Sequence, residues 1–221
     1  MHGLMMDTQL TISSILRHAD RNFPDREIVS VTVDNPLHRY TFADCARRSR
    51  QLANALDQLG LSPGDRVATL AWNDYRHLEA YYAVAGAGYV CHTINPRLFA
   101  EQIAFIINHA EDKWILTDPM FVPLLEKLAD ETTGVEGYIV LTDEAHMPET
   151  ALRKAVSYES FIEAEGDEYD WPELDERSAA GLCYTYGTTG DPKGVLYSHR
   201  SSVLHAYASI APDVMDLSNH D

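Results

Sequence analysis

Positive charge is scarce in this chain. Its 221 residues include 17 Lys and Arg against 34 Asp and Glu, a formal charge of −17 at pH 7. A field of that sign repels the phosphates of nucleic acid and of anionic membranes, which argues against both as partners. Lysine is the scarcer cation, with only Lys113, Lys127, Lys154 and Lys193 present. Cysteine is as sparse. Cys45, Cys91 and Cys183 are odd in number, far apart and without a C-x-x-C pair. That excludes a disulfide framework or zinc cluster and predicts buried free thiols in a reducing compartment. No run of about 18 uncharged apolar residues occurs, so no membrane span is expected. The opening Met1-His-Gly-Leu-Met-Met-Asp7 lacks the cationic start and apolar core of a signal peptide. Together these absences predict a cytoplasmic protein. The ten histidines form no H-x-x-x-H or similar ligand set, and no metal site is expected in the chain.

What is present is ordinary for a globular protein: 45% apolar and 23% charged residues, in a length that suits one large domain or two small ones. Thr11 opens a helical pattern through Phe23, ended by Pro24-Asp25. Ile28 to Val33 reads as a strand, Asp34-Asn-Pro36 as a turn, and Leu37 to Tyr40 as a second strand. Thr41-Phe-Ala-Asp44 is a capping box for a long helix that Gly60 closes. Strands are expected at Arg66–Trp72, Tyr89–Ile94, Trp114–Thr117 and Gly137–Leu141. Helices are expected at Asp74–Ala85, around Ile103–Ala110 and at Phe121–Ala129. This alternation predicts an α/β fold with a largely parallel sheet flanked by helices. Residues 1–175 are expected to form a first α/β subdomain and 176–221 to begin a second. Gly86-Ala-Gly88 precedes a strand, the reverse of the dinucleotide-binding order, and is assigned to tight helix–strand packing. Glu159 to Glu176 holds nine acidic residues and no Lys or Arg, and reads as a solvated connecting segment. Ser198 is an N-cap for a final helix, with His199 either a surface or cap histidine or a neighbour of the ligand site.

One stretch carries chemistry: Tyr184-Thr-Tyr-Gly-Thr-Thr-Gly-Asp-Pro-Lys-Gly-Val195. Gly187 and Gly190 let the backbone turn sharply and approach a ligand. Successive N–H groups in such a turn form a concavity for anions. Thr185, Thr188 and Thr189 add hydroxyl donors, and Lys193 adds a point charge suited to phosphate. The P-loop pattern G-x-x-x-x-G-K-[ST] is not met, because Pro192 precedes Lys193 and Gly194 follows it. Val195-Leu-Tyr197 predicts a strand after the loop, which denies it the field of a helix N-terminus.

The same stretch, with Ser198-His199 after it, resembles the AMP-binding signature Tyr-Thr-Ser-Gly-Thr-Thr-Gly-x-Pro-Lys-Gly-Val of adenylate-forming enzymes, agreeing at eleven of twelve positions. Arg39–Asp44, Pro63–Val67 and Gly88–Pro96 resemble further landmarks of that family. Asp65–Asn73, His77–Tyr82 and His92–Leu98 look most like bacterial medium-chain fatty-acid–CoA ligases and the methylmercaptopropionate–CoA ligase branch. The resemblance implies an acid–thiol ligase that joins a small carboxylic acid to ATP, with Mg²⁺, and passes the acyl group to CoA. It implies that Thr185, Tyr186, Gly187, Thr188, Thr189, Gly190 and Lys193 hold the nucleotide phosphates, Lys193 being the catalytic cation. It leaves room for a homodimer. Tyr186 stands where the family has Ser, and its hydroxyl is held further out on a rigid ring. The chain ends at Asp221, ahead of the family's ribose-binding Asp, hinge and C-terminal domain, which implies an N-terminal portion inactive on its own. A non-catalytic remnant acting through protein contacts, and an adenylating ligase for an aryl or amino acid, stay open as alternatives.

Overall fold

The computed structural model describes residues 1, 3–32, 37–185 and 192–218. The turn expected at Asp34–Pro36 and the end at Asn219–Asp221 lie outside them. Helix α1 (Ile12–Asn22) starts after Thr11 and leads to a short antiparallel pair, β1 (Glu27–Ser30) and β2 (His38–Thr41). Helix α2 (Phe42–Asp57) opens with the capping box expected from sequence: Asp44 N–H donates to Thr41 Oγ1 at 3.2 Å and Thr41 N–H to the Asp44 carboxylate at 3.2 Å. Alternation follows through β3 (Arg66–Leu70), α3 (Tyr75–Gly86), β4 (Val90–Thr93), α4 (Ala100–Ala110), β5 (Trp114–Thr117), α5 (Val122–Leu128) and β6 (Gly137–Val140). The chain continues with β7 (Val156–Ser157), α6 (Tyr158–Glu163), β8 (Ala179–Thr185), β9 (Lys193–Ser198) and α7 (His199–Ser209).

Seven strands form one sheet in the order β7-β6-β5-β3-β4-β8-β9. Every pairing is parallel except β8–β9. The α/β fold with a largely parallel sheet is therefore as expected. Strands β8 and β9 lie beyond residue 175 yet belong to this same sheet, through the β4–β8 pairing of Cys91 with Gly181 and Thr93 with Cys183. Side chains alternate between two buried cores. Val67, Cys91, Leu116 and Ile139 point to the face covered by α2, α3 and α6, whereas Ala68, Leu70, Ile115 and Tyr138 point to the face covered by α4 and α5. Because β4 lies on one side of β3 and β5 on the other, the chain reverses direction across the sheet beside β3. In such folds a crevice opens at the carboxyl ends of the strands at that point.

The acidic segment is not simply solvated. Its first residues form α6, with Tyr158 and Ile162 buried. Glu159 accepts two hydrogen bonds from Arg48, at 2.9 and 3.0 Å, and one from Arg76 at 2.9 Å. Burial acts against its ionisation, but the two guanidiniums hold its carboxyl below the ordinary value. Glu79, fully buried on α3, accepts from Arg48 at 2.8 Å and from Tyr158 Oη at 2.6 Å. Composition in a sliding window could not show this, because the arginines lie more than 80 residues upstream. Further along, the Trp171 ring lies where Gly86 would carry a side chain: a Cβ there would stand 2.5 Å from the indole. Gly88 adopts φ +93° and faces Leu174. The two glycines thus serve packing, though against the irregular segment carrying Trp171 and Leu174 rather than between helix and strand.

Candidate functional site

The Gly/Thr-rich stretch is flanked by the two strands of a hairpin. β8 and β9 pair antiparallel, with Tyr184 opposite Gly194 and Thr185 opposite Lys193. A strand, not a helix, follows the loop, as Pro192 and the β-rich Val195–Tyr197 predict. Tyr186, Gly187, Thr188, Thr189 and Gly190 lie outside the described residues. The two site residues that are described face each other at the mouth of the hairpin: the Thr185 hydroxyl donates to the Lys193 carbonyl at 3.4 Å, and both residues are exposed. Among the described residues Lys193 makes no ion pair.

β8 delivers the loop to the carboxyl edge of the sheet, beside the ends of β3 and β4. There a cleft of about 750 Å³ is lined by Trp72, Asn73, Thr93, Asn95, Arg97 and Tyr184, among others. The Arg97 guanidinium lies 5.7 Å from the centroid of the Trp72 ring, a cation–π contact that holds a second positive charge at the rim. Sequence reasoning missed the cleft. Its walls come from the ends of β3, β4 and β8 and from α3, and Trp72-Asn73 and Asn95-Pro-Arg97 point to no cleft until β3 and β4 are neighbours. His199 also needs correction. It is neither on the surface nor at the cleft, but fully buried at the start of α7, where its Nδ1 accepts the Ile12 backbone N–H at 3.2 Å. Burial pushes its pKa below the ordinary value. It ties α1 to α7, a contact 187 residues apart in sequence. Cys45 and Cys91 are buried free thiols as expected, while Cys183 is only half-buried, with its Sγ 3.0 Å from Thr93 Oγ1.

The profile of the AMP-binding enzyme family matches residues 16–221. The chain belongs to that family. It is 48% identical over 221 residues to a medium-chain-fatty-acid–CoA ligase of Ectopseudomonas oleovorans, covering all of this chain and 40% of that one. It is 47% identical to a 3-methylmercaptopropionyl-CoA ligase of Ruegeria lacuscaerulensis, covering all of this chain and 41% of that one. In fold it is similar to the anthranilate CoA ligase AuaEII, with a TM-score of 0.79 at 22% identity, over 94% of this chain and 38% of that one. The N-terminal domain of FACL13 from Mycobacterium tuberculosis is similar over 94% of this chain and 48% of that one, with a TM-score of 0.76 at 26% identity. The chain thus spans about two fifths of the length of these ligase relatives, aligned as an N-terminal portion. Among the described residues no helix is long and apolar enough to cross a membrane. Nor do any three His, Cys, Asp or Glu among them cluster as a metal site would require.

Proposed function

We propose that this chain is the N-terminal, phosphate-holding part of an ATP-dependent acyl-CoA synthetase. In the complete reaction a carboxylate oxygen attacks the α-phosphorus of ATP and pyrophosphate leaves. The CoA sulfur then attacks the acyl carbonyl and AMP leaves. The share of this chain is the leaving group. Thr185, Gly187, Thr188, Thr189 and Gly190 cradle the β- and γ-phosphates, and Lys193 neutralises the charge that builds on them. Mg²⁺ arrives with the nucleotide phosphates rather than in a site of this chain's own. The observation that carries this reading is the exposed Lys193, set opposite Thr185 at the mouth of the β8–β9 hairpin, in a chain whose net charge is strongly negative. The acid is a small carboxylic acid of the medium-chain type, by likeness to the relatives. The boundary at residues 175/176 marks where the loop-bearing part of the longer protein begins.

Calorimetric titration with Mg·ATP tests it. The wild-type chain binds, and Lys193→Ala weakens binding about tenfold or more, the loss expected of one charge-assisted phosphate contact. ATP–pyrophosphate exchange is absent from the 221-residue chain and present in a full-length relative. Equal affinity of wild type and Lys193→Ala, or robust exchange by this chain alone, would sink the proposal.

A further inference from the structure

Four side chains that the proposed phosphate contacts do not use converge on the two stalks of the loop. Tyr184 is the last residue before Thr185, and its strand partner is Gly194, the first residue after Lys193. A Cβ at Gly194 would stand 3.3 Å from Tyr184 Cζ and 3.2 Å from Leu182 Cδ1. The Tyr184 ring therefore lies across the glycine and closes the leading and trailing stalks onto each other. An aromatic ring over a cross-strand glycine restores the packing that the missing side chain gives up. Gly194 is in ordinary backbone conformation, so it is needed for space and not for a left-handed turn.

The ring is itself held at two points. Its hydroxyl is 2.6 Å from His109 Nδ1, near the end of α4. Its ring centroid is 5.2 Å from that of His92 on β4. His92 is fully buried and its Nδ1 donates to both oxygens of Asp112, at 2.9 and 2.8 Å. Asp112 is 1% exposed and comes from the turn between α4 and β5. A buried carboxylate that fixes an imidazole with both of its oxygens leaves the ring little freedom. Asp112 orients His92, His92 and His109 fix Tyr184, and Tyr184 covers Gly194 beside Lys193.

We infer that Asp112, His92 and Tyr184 are positioning residues for Lys193, a rigid support that reaches the loop from the sheet interior. This rests on the phosphate-holding reading for its functional consequence, but its structural content stands apart from it. The support acts through Tyr184, which touches both stalks, and not by contact with nucleotide.

The test uses the 221-residue chain and two readouts. The first is backbone amide exchange, without nucleotide, at residues 183–185 and 193–195, with the β5 and β6 amides as internal reference. Tyr184→Ala and Asp112→Ala speed exchange at the stalks by about tenfold while β5 and β6 are unchanged. Asp112→Asn, which keeps an acceptor for His92, stays within about twofold of wild type, and Tyr184→Phe, which keeps the ring over Gly194, lies nearer to wild type than to Tyr184→Ala. Stalk exchange that stays at the wild-type rate in Tyr184→Ala overturns the inference, as does faster exchange spread evenly through β5 and β6. The second readout is Mg·ATP affinity, which follows the same order of variants. If the wild-type chain binds no ATP, the phosphate-holding reading fails, and the exchange data still decide the support. If wild type binds and Asp112→Ala binds equally well, the support has no bearing on the nucleotide and the inference is overturned alone.

Discussion

Replacing Glu79 by Gln is the most informative perturbation of this fold. Glu79 is fully buried between α2, α3 and α6 and accepts from Arg48 Nε at 2.8 Å and Tyr158 Oη at 2.6 Å. Arg48, Arg76, Glu79 and Glu159 together carry no net charge. The amide removes one negative charge and leaves two guanidiniums facing one carboxylate, at a site where Glu79 itself has no solvent contact while Glu159 and Arg48 keep 28% and 16% of their side chains exposed. Breaking a buried pair from one side costs about 3–5 kcal/mol. Arg48 retains its two bonds to Glu159, at 2.9 and 3.0 Å. The lower end, about 3 kcal/mol, is therefore expected. For a chain of this size that lowers Tm by roughly 6–12 °C. Equilibrium urea unfolding and scanning calorimetry measure both quantities. The exposed pair Arg39–Glu27, at 2.7 Å with half of each side chain in solvent, is the control. Glu27→Gln should cost less than about 0.5 kcal/mol despite its shorter distance. A loss below about 1 kcal/mol for Glu79→Gln would refute the argument, since it would mean that the neighbouring charges relax freely.

Two further predictions concern the same face. Gly86→Ala improves helix propensity by about 1 kcal/mol on local grounds, yet it should destabilise the protein by about 1–2 kcal/mol because the new methyl meets the Trp171 ring. Trp171→Ala should cost about 2–3 kcal/mol by itself, and in the double variant the Gly86→Ala penalty should vanish; purely additive unfolding energies would contradict the contact. Glu159 supplies a pH dependence. Its folded pKa lies below the ordinary value of 4.5, so its stabilisation is present above that value and lost as pH falls through the lower folded one. The stability gap between wild type and Glu159→Gln should therefore hold above roughly pH 5 and shrink steadily as pH falls below it in urea titrations. A gap that stays constant as pH falls below that value would argue against the Arg48 and Arg76 pairing.

The sequence by itself determined the local and the periodic. The Thr41–Asp44 box set the start of α2 because both partners sit within one turn. The alternation of apolar periods announced a parallel α/β sheet, and Pro192 with Val195–Tyr197 announced the strand after the loop, since such residues act through backbone geometry at short range. Tertiary structure decided whatever depends on partners far apart in the chain. It drew Glu159, the first residue of the otherwise largely solvated acidic run, into a charge network, because Arg48 and Arg76 arrive on α2 and α3. It made His199, readable as a surface or cap residue or as a neighbour of the ligand site, a buried tie with Ile12. It brought Trp72, Asn95 and Arg97 to one cleft at the strand ends, and it set Tyr184 between Gly194, His109 and His92. Hydrogen bonds and charges gain their strength from desolvation, and which groups lose their water is settled only when the two faces of the sheet are covered.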